Sequence, residues 1–131
     1  LEIDQNNIQI NLDIDPETTI TTDPLLLNQV LVNLLSNSIQ AMKECDTRCI
    51  NVNMTQPGSE ICIRLSDTGP GIADDVIENI FDPFFTTKEV GLGLGLGLSI
   101  SYRIMESLGG RIEVVNIAAG GACFELYLPY E

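Results

Sequence analysis

From Leu25 to Met42 the chain carries no charge, and no other feature limits the possible folds as strongly. Asp23-Pro24 stands directly before this run. Aspartate is a strong N-cap, and proline suits the first helical position because the N–H it lacks would be orphaned there. Leu27, Val30, Leu31, Leu34, Leu35 and Ile39 recur at helical spacing, which predicts a long helix with one apolar face. Asn28, Gln29, Asn33, Ser36, Asn37 and Gln40 interrupt the apolar residues too often for a membrane span, so the helix belongs to a water-soluble core. Asn33 and Asn37 lie one turn apart and share a polar stripe.

The segments on either side read mostly as strands. Residues 8–14 alternate strictly, which puts Ile8, Ile10, Leu12 and Ile14 on one strand face expected to be buried. A short extended stretch follows at residues 18–22. Residues 50–55 and 60–66 are rich in β-formers and flank Gln56-Pro57-Gly58-Ser59, the pattern of a hairpin. Residues 73–80 are a short helical candidate with Asp74 and Asp75 near its start. From Phe81 to Gly97 the sequence reads as loop, ending in Gly91, Gly93, Gly95 and Gly97 alternating with leucines. Helical spacing resumes over residues 98–108 and stops at Gly109-Gly110. Residues 111–116 and 122–128 form a closing hairpin around Ala118-Ala119-Gly120-Gly121. Paired strands with helices between them predict an α+β fold, helices on one face of a mixed sheet, in one domain over residues 1–131.

Composition narrows the function. Six Lys and Arg against nineteen Asp and Glu give a net charge of −13, so no summed positive field exists to hold a nucleic-acid backbone. A single bound polyanion, such as a nucleotide, remains compatible if backbone N–H groups and a metal ion supply local positive charge. The absence of histidine removes a Ser/His/Asp triad and a histidine base, and any phosphohistidine must lie outside these residues. Cys45, Cys49, Cys62 and Cys123 are not paired in zinc spacing and are read as reduced thiols of a cytoplasmic protein.

Three local patterns suggest chemistry. The glycine run matches neither GxGxxG nor a P-loop, yet it leads into a helix at Leu98, so open backbone N–H groups and a helix N-terminus could face phosphates. A mobile loop or a Gly-Leu strand would use the same residues. The Asn33 and Asn37 amides could meet a magnesium ion shared with substrate phosphates, or face water. Asp67, at a strand end before Gly69-Pro70-Gly71, could accept a hydrogen bond from a base's exocyclic amine, or simply turn the chain.

Taken together, Asn33-Leu34-Leu35-Ser36-Asn37, Asp67-Thr68-Gly69-Pro70-Gly71, Phe81-Asp82-Pro83-Phe84-Phe85-Thr86-Thr87-Lys88 and Gly93-Leu94-Gly95-Leu96-Gly97-Leu98 resemble, in order, the N box, first glycine box, F box and second glycine box of sensor histidine kinases. The wider superfamily includes gyrase, MutL and a heat-shock chaperone. The Phe-Phe-Thr-Thr-Lys wording and the extended Gly-Leu repeat look most like nitrogen-regulation and dicarboxylate-sensing kinases. The resemblance implies the catalytic ATP-binding domain, with a Bergerat α/β sandwich of about five strands and a lid from Phe81 to Gly97.

Roles follow from that resemblance by position. Asn37 would hold Mg2+ through its amide oxygen, and Asp67 would read adenine. Gly69, Gly71, Gly93, Gly95 and Gly97 would permit backbone contact or lid movement, with Ile72, Leu96 and Leu98 beside the nucleotide. Lys88, the only cation of the lid, would meet the β- or γ-phosphate. Phe84 and Phe85 would anchor the lid, while Ile39 and Ile72 serve as pocket walls or as plain core. ATP-hydrolysing relatives have Glu where Asn33 stands; an amide is no general base, so hydrolysis should be poor and phosphoryl transfer remains.

Two departures are visible. Gln40 and Ala41 replace a cation and an aromatic, shifting phosphate contact to Lys43 or Lys88, and Ala122-Cys123-Phe124 replaces Thr-Thr-Phe, removing a hydroxyl near the adenine. The partners implied are ATP, a histidine-bearing dimerisation domain of the same parent and, indirectly, a response regulator receiver domain. Residues 1–7 would be the end of the linker from that dimerisation domain. The fragment would be a cytoplasmic monomer of a homodimeric parent, which an inner-membrane sensor presenting the domain to the cytoplasm would satisfy. The alternative is a nucleotide-responsive interaction module without phosphate transfer.

Overall fold

A computed structural model describes residues 8–15, 17–82, 94–118 and 120–129, with the backbone alone over 94–97. Five strands form one sheet: β1 (Gln9–Asp13), β2 (Cys49–Thr55), β3 (Glu60–Asp67), β4 (Arg111–Asn116) and β5 (Ala122–Pro129). Their order is β1-β2-β3-β5-β4. The β1–β2 pair is parallel and the other three are antiparallel, the mixed and mostly antiparallel sheet expected.

Strand alternation divides the residues between two faces. Ile61, Ile63 and Leu65 of β3 and Phe124, Leu126 and Leu128 of β5 join Val30, Leu34, Leu98 and Met105 in the main core. The intervening residues face the other way, where Arg64 and Glu125 are register partners joined by an ion pair at 3.1 Å. Asp67 ends β3 in the same register as Ile61, Ile63 and Leu65, so its side chain turns toward the helices.

The helices are α1 (Pro24–Ala41), α2 (Asp74–Ile77) and α3 (Leu94–Ser107). The Asp23 side chain accepts from the backbone N–H groups of Leu25 and Leu26, at 3.0 and 3.3 Å, which caps α1 as its sequence predicts. At the far end of α3, Gly109 has φ +82° and the Gly110 N–H bonds the Met105 carbonyl at 2.9 Å, the left-handed cap expected of Gly109-Gly110.

Three expectations need correction. The helix expected over 98–108 starts at Leu94, so Gly95 and Gly97 lie inside its first turn rather than in a loop. Each glycine weakens a helix by about 1 kcal/mol relative to alanine, but no proline intervenes to stop it. The helix expected over 73–80 is only the single turn α2, with turns continuing to Ile80. The apolar face of β1 is covered only in part. Ile8 is buried with Ile39, Met42 and Ile50, whereas Leu12 is 70% exposed. β1 is an edge strand, and the C-terminal half of α1 covers only its beginning.

Candidate nucleotide site

Asp67 and the loop after it lie where α1, the end of β3 and the β4–β5 turn converge. Asp67 is 5% exposed, and its carboxylate is held from three directions. Oδ1 accepts the Gly69 N–H at 2.9 Å and the Ala122 N–H at 3.3 Å. Oδ2 accepts the Ser38 hydroxyl at 3.2 Å. A buried carboxylate needs such donors, and two of these three come from backbone that cannot rotate away.

The loop after Asp67 is fixed at both ends. A Cβ on Gly69 would lie 3.1 Å from Asp67 Oδ1 and 3.3 Å from Met42 Cγ, so the glycine lets this loop close against α1. Gly71 has φ +82°, and the next residue, Ile72, is bound through its N–H and its carbonyl by the side chain of Asn116. Gly121, at φ +96°, packs so closely on the Asp67 carbonyl that a Cβ there would lie 1.9 Å from the oxygen. The β4–β5 turn therefore grips the loop at Asp67, and the end of β4 grips it again at Ile72.

Asn37 and Asn33 lie on the helix that carries Ser38. Asn33 donates to the Ser101 hydroxyl at 3.3 Å, linking α1 to α3. The Asn37 amide nitrogen is buried without a hydrogen-bond partner. A carboxamide presents either end by a half-turn, so a ligand oxygen could satisfy this nitrogen and a cation could take the carbonyl in its place. Magnesium, which prefers few protein oxygens together with waters and phosphates, fits that single amide. Among the described residues no group of three or more His, Cys, Asp or Glu could cage a metal alone.

The other expected residues divide between those the structure describes and those it does not. The Leu98 side chain is buried in the main core and Ile39 in the second cluster, so neither lines an open wall. Ile72 is half-buried against the main core. Lys43 is exposed just beyond α1. Phe84, Phe85, Lys88 and Gly93 lie outside the described residues, as do the side chains of Gly95, Leu96 and Gly97. Cys123, one residue beyond Ala122, is a packed thiol whose burial pushes its pKa up, with Arg64 opposing.

Sequence reasoning missed Ser38, Asn116, Gly121 and Ser101. Ser38 had a legible signal: it follows Val30 and Leu34 at four-residue steps on the buried stripe of α1, and a hydroxyl on such a stripe requires a partner.

The fold is that of an ATP-binding domain of the layered ATPase class. Residues 22–131 match the family described as histidine kinase-, DNA gyrase B-, and HSP90-like ATPase. The sensor protein FixL of Bradyrhizobium diazoefficiens is 41% identical over 127 residues, covering 95% of this chain and 25% of that protein. The C4-dicarboxylate transport sensor protein DctB of Rhizobium meliloti is 41% identical over 112 residues, 85% of this chain and 18% of that protein. The chain thus spans about a quarter or less of these relatives. Among solved structures, the catalytic domain of histidine kinase ThkA superposes with a TM-score of 0.85 at 33% identity, over 98% of this chain and 83% of that one. ThkA in complex with the response regulator protein TrrA matches at 0.80 and 30%, over 99% of this chain and 36% of that one. The chain belongs to this ATPase family, and within it to the catalytic ATP-binding domains of histidine kinases.

Proposed function

We propose that this domain binds Mg2+ and ATP between α1 and the segment from Phe81 to Gly97, and passes the γ-phosphate to a histidine on a separate dimerisation domain of the same parent. The observation that carries the reading is the buried Asp67 carboxylate, locked in orientation and tied through Ser38 to the helix that bears Asn37. Asp67 Oδ2 accepts from the adenine amine, and Asn37 offers its amide oxygen to the metal. Magnesium, when bound, supplies neutralisation of the phosphate charge.

This chain contributes position rather than a nucleophile. It has no histidine, and Asn33, held to Ser101, is an amide with no basic site for activating water. Gly93, Gly95 and Gly97 would let backbone N–H groups at the start of α3 approach the phosphates, and Lys88 would place its ammonium on the β- or γ-phosphate. The acceptor histidine would belong to a homodimeric parent, which would hand the phosphate on to a receiver domain. Among the described residues no helix is long and apolar enough to cross a membrane. As part of a sensor kinase that hands phosphate to a receiver domain, the domain would work in the cytoplasm.

The test adds a histidine-bearing dimerisation domain in trans and follows radiolabelled γ-phosphate from ATP. Label on the acceptor histidine supports the reading. Binding of ATP without any transfer would favour a nucleotide-responsive interaction module instead.

A further inference from the structure

We propose that Ser38 determines base specificity at this site, because its hydroxyl leaves the Asp67 carboxylate a single open acceptor position. The inference rests on the nucleotide-binding reading above and deepens it.

A carboxylate offers about four lone-pair positions. The two on Oδ1 are taken by the backbone N–H groups of Gly69 and Ala122, at 2.9 and 3.3 Å. These donors are fixed, because the Gly121 backbone lies against the Asp67 carbonyl and the Ala122 N–H follows directly from it. One position on Oδ2 is taken by the Ser38 hydroxyl at 3.2 Å. One is left.

The edges of the two purine bases differ in what they ask of a carboxylate. Adenine presents one exocyclic amine beside a ring nitrogen that accepts, so a single open position on Oδ2 satisfies it. Guanine presents a ring N–H and an amine side by side, two donors that need two open acceptor positions, which Oδ2 alone offers only without the Ser38 hydroxyl. With Oδ1 filled and Oδ2 half filled, that pair cannot be met. Ser38 and Asp67 are 2% and 5% exposed, so a donor refused there has little access to replacement water and the refusal is costly. Ser38 is the only one of the three donors supplied by a side chain, so it is the one that sequence can change without moving the backbone.

The experiment titrates the chain with non-hydrolysable analogues of ATP and GTP, in the unchanged protein and in Ser38→Ala, with thermal unfolding to confirm the fold. The readout is the ratio of the guanine to the adenine Kd. Loss of the hydroxyl should lower that ratio by roughly three- to tenfold, the range of one hydrogen bond. If Ser38→Ala does not fold, Ser38→Cys carries the same test, since its thiol is a weaker donor of similar size and should also lower the ratio. An unchanged ratio in a folded variant overturns the role of Ser38 and leaves nucleotide binding intact. Failure of the unchanged protein to bind the ATP analogue overturns the underlying reading as well.

Discussion

The Asn116 side chain binds both polar groups of the Ile72 backbone, accepting from its N–H at 2.8 Å and donating to its carbonyl. One amide thus does what a strand neighbour would do, and it fixes the loop that begins at Asp67. Asn116→Ala removes both bonds in an exposed setting, where each is worth about 0.5–1.5 kcal/mol. The expected result is a folded protein with adenine-nucleotide affinity reduced roughly two- to tenfold, read by calorimetry. Unchanged affinity would show that the loop holds its position without the clamp.

Asp67→Asn is the cleaner test of base reading. Its remaining carbonyl oxygen can still accept from Gly69 and Ala122, while Nδ2 replaces the oxygen that Ser38 meets. Stability should change little because the Ser38 hydroxyl can turn to accept. Binding of an ATP analogue should weaken by roughly 1–3 kcal/mol, the scale of a hydrogen bond to a charged group. An affinity equal to that of the unchanged protein would remove Asp67 from the site.

Local signals predicted the features that local chemistry decides. Asp23-Pro24 sets the start of α1, Gly109-Gly110 sets the end of α3, and both hairpins fall at their glycine turns, because each depends on a few adjacent residues. Tertiary coverage decides the rest. Leu12 alternates correctly with Ile10, yet nothing in the local pattern shows that α1 stops short of it. Asp67, Gly69 and Gly71 were legible as a motif, whereas Asn116 and Gly121 reach the same loop from more than 40 residues away. Gly95 and Gly97 misled because glycine permits a loop without requiring one.

Gly121 and its neighbour separate close packing from backbone strain. Both have positive φ, +96° and +115°, but a Cβ on Gly121 would meet the Asp67 carbonyl oxygen at 1.9 Å while one on Gly120 would meet nothing within 4 Å. Gly120→Ala should cost about 1–2 kcal/mol from the left-handed conformation alone. Gly121→Ala should cost roughly 2–5 kcal/mol, since the turn must also move off β3. Urea denaturation of the two variants checks the difference, and equal costs would show that the turn shifts freely. In Gly121→Ala that shift also displaces the Ala122 N–H from Asp67, so nucleotide binding should fall further than in Gly120→Ala.

Asn33 donates to Ser101 and has no protonatable site near neutral pH. The isolated domain should therefore bind ATP yet release phosphate at a rate close to the uncatalysed background. A coupled phosphate-release assay checks this directly. Steady turnover would mean that some other group activates water.

Alkaline pH should destabilise the domain through the sheet face away from the helices. Burial pushes the Cys62 and Cys123 thiols above their ordinary value, and it raises the Tyr127 hydroxyl strongly, with hydrogen bonds to Glu125 and Cys62 adding to the effect. In each case the folded chain holds its proton more tightly than the unfolded chain. Their contribution to stability is therefore complete below the unfolded thiol range, about 8.5, and is lost as pH rises from there through the raised folded values. The urea midpoint should hold steady to about pH 8 and then decline, and Tyr127→Phe should flatten the upper part of that decline by removing one of the three groups. Cys62 and Cys123 are buried, so an alkylating reagent should reach the half-buried Cys45 and Cys49 first. A midpoint that rises above pH 9 would contradict the sign of all three shifts.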